Sequence, residues 1–257
     1  MLLAAVVLAL AGCGVVPART ASATWHFPSA SASPPAKLAP LDAVVAAATA
    51  ASRTTYRYTY TNGEYTASLL IDEAAEKATG TVVSTVDEFH LKADLVVIGY
   101  TMWLKFEGGP ANRVLGIPTQ YMRLDMGKLR DRERLAGSSG GRNVIVGGPF
   151  LNGLIDVQRA DPVHYTGTVD LTKGGMSLVD EDTREKLGDR TSRIPAEFTV
   201  DDQGRLVRMV IGLAAVVPVT SITITYGDFG TPVTVGPPPR NDTIEAPARI
   251  YDLLNRA

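Results

Sequence analysis

The chain predicts an α+β fold, one large antiparallel sheet with a few helices on one face, and three observations carry that prediction. Tyr56, Tyr58 and Tyr60 alternate with Arg57, Thr59 and Thr61, the period of two that marks a half-buried strand. The same alternation returns along the chain as far as Tyr226, punctuated by Gly, Asn and Asp turns. Only a few stretches break it with helix formers, Leu41–Ser52 (LDAVVAAATAAS) first among them, free of Gly and Pro.

The elements run in order. After the Leu41–Ser52 helix and the tyrosine strand, Asn62-Gly63 is a strong short-range hairpin signal. It leads into Tyr65, Ala67, Leu69 and Ile71 on one face of the next strand. Lys77–Val86, Phe89–Ile98 and Tyr100–Phe106 read as three more strands, making a meander with one apolar face. Gly127–Arg142 is charged and Gly-rich and reads as a surface loop. In Pro149–Asp161, the residues Phe150, Leu154, Ile155 and Gln158 fall at helical spacing, which predicts an amphipathic helix seeking an apolar surface. Val163–Leu171 returns to strand, with Gly167 expected on its apolar face. Ser177 and Asp180 resemble a capping box opening a charged helix to about Leu187. Ile194–Val200 and Arg205–Leu213 make a hairpin around 201–204 (DDQG), and Ser221–Tyr226 is the final strand before the Pro-rich Gly236–Pro239.

The beginning of the chain carries a different message. Leu2–Ala11 is an unbroken apolar run, too short for a permanent membrane span but suited to a signal-peptide core, with no Lys or Arg before it. It ends in Leu10-Ala11-Gly12-Cys13, which resembles the lipobox of bacterial lipoproteins. By that resemblance, residues 1–12 are a signal peptide and Cys13 becomes the lipidated first residue. Residues 13–40 then form an Ala/Ser/Pro-rich linker, unable to bury enough apolar surface to offset its ordering entropy. The folded domain is expected over 41–240 and a C-terminal tail over 241–257.

Composition narrows the function. At 257 residues and 45% hydrophobic content, the chain supports one well-buried domain. A net charge of -2 gives no hint of nucleic-acid binding, which usually needs a clustered basic face. A single cysteine excludes an internal disulfide and a cysteine-built metal site. Gly137-Ser138-Ser139-Gly140-Gly141 matches G-x-S-x-G, but the solvated charge run before it replaces the buried strand that a nucleophile elbow requires. His26, His90 and His164 lie in separate segments without ligand spacing. Asp180-Glu181-Asp182 lacks the glycine and terminal Glu of a calcium loop. No catalytic or metal site is expected, and no cofactor beyond a covalent diacylglyceryl group on Cys13.

The order of motifs resembles the LppX/LprG-type lipoproteins of actinobacteria, which share the half-barrel architecture of the LolA and LolB lipoprotein carriers. The resemblance is carried by the lipobox and by the strands Tyr165–Asp170 (YTGTVD) and Ile194–Asp201 (IPAEFTVD). The hairpin Gln203–Arg208 (QGRLVR) and the ending Tyr226–Val233 (YGDFGTPV) complete it. It implies a strongly curved half-barrel sheet whose concave face, covered by helices, encloses a cavity for acyl chains. The implied lining is Leu69, Leu95, Val97, Met102, Leu104, Phe150, Leu154, Ile155 and Phe198. It further implies an exported protein, lipid-anchored to the outer face of the cell membrane, with a lipid or lipoglycan as ligand. The alternative is a protein-interaction module of the same fold with a filled core and an envelope protein as partner.

Overall fold

The computed structural model describes residues 38–62, 65–86, 89–107, 109, 112–113, 116–129, 148–173, 185, 188–213 and 221–255. Helix α1 (Pro40–Ala51) starts on a proline, whose missing N–H costs nothing in a first turn. It turns Val44, Ala47, Ala48 and Ala51 inward. Three of these four are alanines, and the small face packs against the strands β7 (Leu154–Arg159), β9 (Ile194–Val200) and β10 (Leu206–Gly212).

The strand meander forms as its alternation dictates. β1 (Tyr56–Thr61) and β2 (Tyr65–Asp72) pair antiparallel, joined at Asn62, whose side-chain oxygen accepts the Tyr65 N–H at 2.8 Å. β3 (Lys77–Val86), β4 (Phe89–Ile98) and β5 (Thr101–Phe106) continue the antiparallel order, at the predicted boundaries to within one residue. Beyond them lie β6 (Tyr121–Leu124), β8 (His164–Val169), β11 (Ser221–Gly227) and β12 (Thr243–Glu245). All twelve strands make one sheet in the order β12-β6-β5-β4-β3-β2-β1-β11-β10-β9-β8-β7. Every neighbouring pair is antiparallel except β12 with β6.

This corrects the expected fold class. The described chain is mostly β: an open mixed sheet with three short helices, α1, α2 (Gly148–Asn152) and α3 (Ala248–Leu254), rather than an α+β half-barrel with a helical cover. Among the described residues the sheet ends at two unpaired edges, β12 and β7, and does not close.

Part of the difference lies in Pro149–Asp161. The predicted amphipathic helix stops after one turn at Asn152, and the chain continues as β7. Gly153 makes the switch. A Cβ there would lie 2.1 Å from the Asp170 carbonyl oxygen, so only glycine lets the two backbones approach. The Asp170 N–H donates to the Gly153 carbonyl at 2.7 Å, committing residues 154–159 to pairing with β8. The edge is then blunted by a bulge between Ile155 and Gln158, where Asp156 takes φ 52° and pairs with Arg193 at 2.7 Å. The predicted helix from Ser177 to about Leu187 lies outside the described residues apart from Glu185.

The two faces of the sheet differ. The inner one carries the main core: Tyr56, Tyr58 and Tyr60, Leu95 and Val97, Met102, Leu104 and Phe106, Phe198, Met209, Ile222 and Ile224 among them. The outer one carries Thr and charged side chains, with Val96 and Trp103 paired across β4 and β5 and both buried. Residues 228–242 run from β11, in the middle of the sheet, to β12 at its edge. Lys105 on the outer side of β5 donates to Asp242 at 2.6 Å, which fixes the end of that connection on the face bearing Trp103.

Candidate functional site

The candidate lining residues resolve into a continuous patch and one outlier. Across the sheet, Leu69 pairs with Gly80, Gly80 with Leu95, and Leu95 with Leu104. In the next row, Ala78 pairs with Val97 and Val97 with Met102. Phe198 on β9 sits opposite Tyr165 and Met209. Phe150 of α2 and Leu154 at the head of β7 join the same apolar cluster. Ile155 does not: it is only partly buried and stands outside that cluster, because the period of two turns it away from Leu154.

The other eight are between 0% and 6% exposed. Their side chains therefore touch neighbours over nearly all their surface, which is the condition of a close-packed interior. Gly167 falls on the side of β8 that carries Tyr165 and Val169. A Cβ there would meet the Ile155 carbonyl oxygen at 3.2 Å and Val157 Cγ2 at 3.3 Å.

Gly80 escaped the sequence reading. A Cβ at this position would lie 2.0 Å from the Ser68 carbonyl oxygen and 2.8 Å from the Leu69 Cα, so β2 and β3 approach here as only glycine permits. A lone glycine inside a regular Thr/Val strand, between Thr79 and Thr81, was the available signal.

A polar cluster at one end of the sheet was also missed. Tyr56, Tyr58 and Tyr226 pack in a row, with ring centroids 6.0 Å and 6.1 Å apart in the two pairs with Tyr226. The Tyr56 hydroxyl, on a residue 1% exposed, donates to Glu73 Oε1 at 2.5 Å. Burial holds the Glu73 carboxyl above the ordinary carboxylate range, at about 7, although the Tyr56 hydrogen bond pulls the other way. Burial, and then the Glu73 charge, hold the Tyr56 hydroxyl protonated far above the usual tyrosine range.

The remaining candidates do not converge. His164 Nδ1, at the exposed start of β8, lies 2.7 Å from Asp161 Oδ2 in the turn before it, and His90 lies on β4. Among the described residues no group of three or more His, Cys, Asp or Glu side chains is placed to hold a metal ion. Among the same residues no helix is long and apolar enough to cross a membrane. Cys13, His26, the 137–141 glycine-serine run and Asp180–Asp182 lie outside the described residues.

No protein-family model matches the chain, and no curated protein matches it. Among solved structures, a DNA polymerase sliding clamp from Pseudomonas aeruginosa is similar over 74% of this chain and 61% of its own, at 13% identity and a TM-score of 0.13. The chain thus spans less than two thirds of the clamp's length, and a likeness this slight carries no argument about fold or role.

Proposed function

We propose that the protein is an exported lipoprotein, held at the outer face of the cell membrane by a lipid on Cys13, whose sheet domain binds acyl chains against its inner face. The supporting observation is the apolar inner patch across β2 to β5, where Leu69, Leu95, Val97, Met102 and Leu104 adjoin the small residues Ala67, Ala78, Gly80 and Ala93. The three described helices leave β2 to β5 without a principal helical contact. An acyl chain entering this layer has to part side chains that now touch, so binding is coupled to opening of the core. The cargo is a lipid or lipoglycan, and the protein's own chemistry toward it is burial, with no catalytic step.

A second reading draws on a specific observation. The near-complete burial of the eight lining residues also suits a filled core. The domain would then be a surface interaction module for an envelope protein.

Two measurements test the proposal. Fatty-acid labelling of the full-length protein should be lost in Cys13→Ser, because serine offers no thiolate for acyl transfer; persistent labelling refutes the tether. Lipid extraction and native mass spectrometry should find a non-covalent lipid with the purified protein. Its consistent absence, even after lipid is supplied, refutes acyl binding.

A further inference from the structure

Glu73 occupies a place that sheet geometry alone does not explain. It begins the four-residue turn between β2 and β3, at the end of the sheet where β1 starts and β11 finishes. Turn carboxylates ordinarily cap local backbone N–H groups, as Asp72 does here for Ala75 at 2.9 Å. Glu73 reaches instead to a hydroxyl inside the core, on a residue 17 positions away in sequence.

The charges around it offer no compensation. β1 presents Tyr56, packed with Tyr58 against Tyr226 of β11, while Asp72 ends β2, Glu76 ends the turn and Lys77 opens β3. Arg57 lies on the opposite side of β1, paired with Asp228 at 2.6 Å. From the β4–β5 turn, the Gly99 N–H is spent on the Glu76 carbonyl at 2.8 Å. Among the described residues no ion pair involves Glu73. A carboxylate half-withdrawn from water beside Tyr56 and Tyr226 is costly when charged and inexpensive when neutral.

We propose that Glu73 and Tyr56 form a proton-operated latch, which holds the β2–β3 turn closed over the tyrosine row when Glu73 is protonated and loosens it when the proton leaves. In the closed state the Tyr56 hydroxyl donates to the Glu73 carboxyl whether or not the proton is present. What changes is the desolvation cost of the anion, relieved when the turn swings out to water. The pH window comes from linkage. A carboxyl whose closed-state value of about 7 lies above its ordinary 4.5 adds stability that is fully present below 4.5. That stability is lost as pH rises and has gone above about 7. The carboxylates of Asp161, Asp170 and Asp201 are shifted downward, so they act in the acid range and leave this window clear. The latch is independent of what the domain binds.

Hydrogen exchange on the full-length protein without added lipid, corrected for intrinsic pH dependence, tests it. Protection of amides 72–77 should fall about tenfold between pH 5 and pH 7.5 and then level off, each pKa unit being tenfold at most and the carboxylate partly solvated. Glu73→Gln should hold the low-pH protection across the whole range. Tyr56→Phe removes the hydrogen bond that favours the anion, so its levelling point should move to higher pH. A flat wild-type profile, a slope that survives in Glu73→Gln, or a levelling point unmoved or lowered in Tyr56→Phe overturns the latch.

Discussion

Replacing Gly80 by alanine should destabilise this protein severely for a single added methyl group. The new carbon would sit 2.0 Å from the Ser68 carbonyl oxygen, 2.8 Å from the Leu69 Cα and 2.9 Å from the Ser68 carbonyl carbon, all backbone atoms of β2. No rotamer change relieves such contacts, so the two strands have to separate locally. Overpacking costs about 1–3 kcal/mol, and about two weakened ladder hydrogen bonds add roughly 1 kcal/mol each. Reduced freedom of the unfolded chain returns about 0.4–1 kcal/mol, leaving a net loss of about 3 kcal/mol. For a domain of this size that is a fall in Tm of about 6–12 °C. Urea unfolding followed by tryptophan fluorescence measures it, since Trp103 is buried two strands from Gly80. Gly227→Ala is the control: this glycine ends β11, nothing lies within 4 Å of its Cβ, and the change should alter stability by under about 1 kcal/mol. Equal, small effects at both positions would refute the close approach of β2 and β3.

Two further outcomes concern other parts of the sheet. Gly167→Leu should cost about 1–3 kcal/mol by crowding the β7 backbone near Ile155 and Val157, and an unchanged urea midpoint would contradict that packing. Asp201 is held below the usual carboxylate range against the upward pull of burial, by N–H groups of Arg205 and Gln203 and by the Arg205 guanidinium at 2.7 Å. A lowered carboxyl contributes stability above its unfolded value and loses it as pH falls through the folded one. Asp201→Asn should therefore lower Tm at pH 7, and the difference from wild type should shrink as pH falls below the ordinary carboxylate range, as pH-dependent thermal melts will show.

The sheet was legible where burial has one side. β1 to β5, β9 and β11 keep an alternation that no helix can satisfy, so Tyr56-Tyr58-Tyr60 and Leu95-Val97 revealed both element and face. Phe150, Leu154, Ile155 and Gln158 satisfy the helical period equally well, and the decision between helix and strand rests on Gly153 meeting Asp170, a residue distant in sequence. β6 and β12 are four and three residues long, too short for any period to register. Openness of the sheet is a property of its edges, and the bulge at Asp156 that blunts one of them leaves no mark in hydrophobic pattern. The alternation placed Leu69, Leu95, Val97, Met102, Leu104 and Phe198 on one face of the sheet, whereas the helical period grouped Phe150, Leu154 and Ile155, of which Ile155 turns away on β7. Nothing in the sequence sets Glu73 apart, because its partner is a tyrosine on another strand.

The central claim, that the inner layer parts for an acyl chain, is tested most directly at Val97. This side chain lies between Ala78 and Met102, 4% exposed. Lipid co-purifying with the full-length protein and thermal stability should be measured together for wild type and Val97→Trp. A layer that opens for a ligand accepts the indole in the ligand's place, so the account predicts a folded variant that has lost the lipid found with wild type. A wild type that never holds lipid, with a variant destabilised by several kcal/mol as a close-packed interior requires, would contradict it.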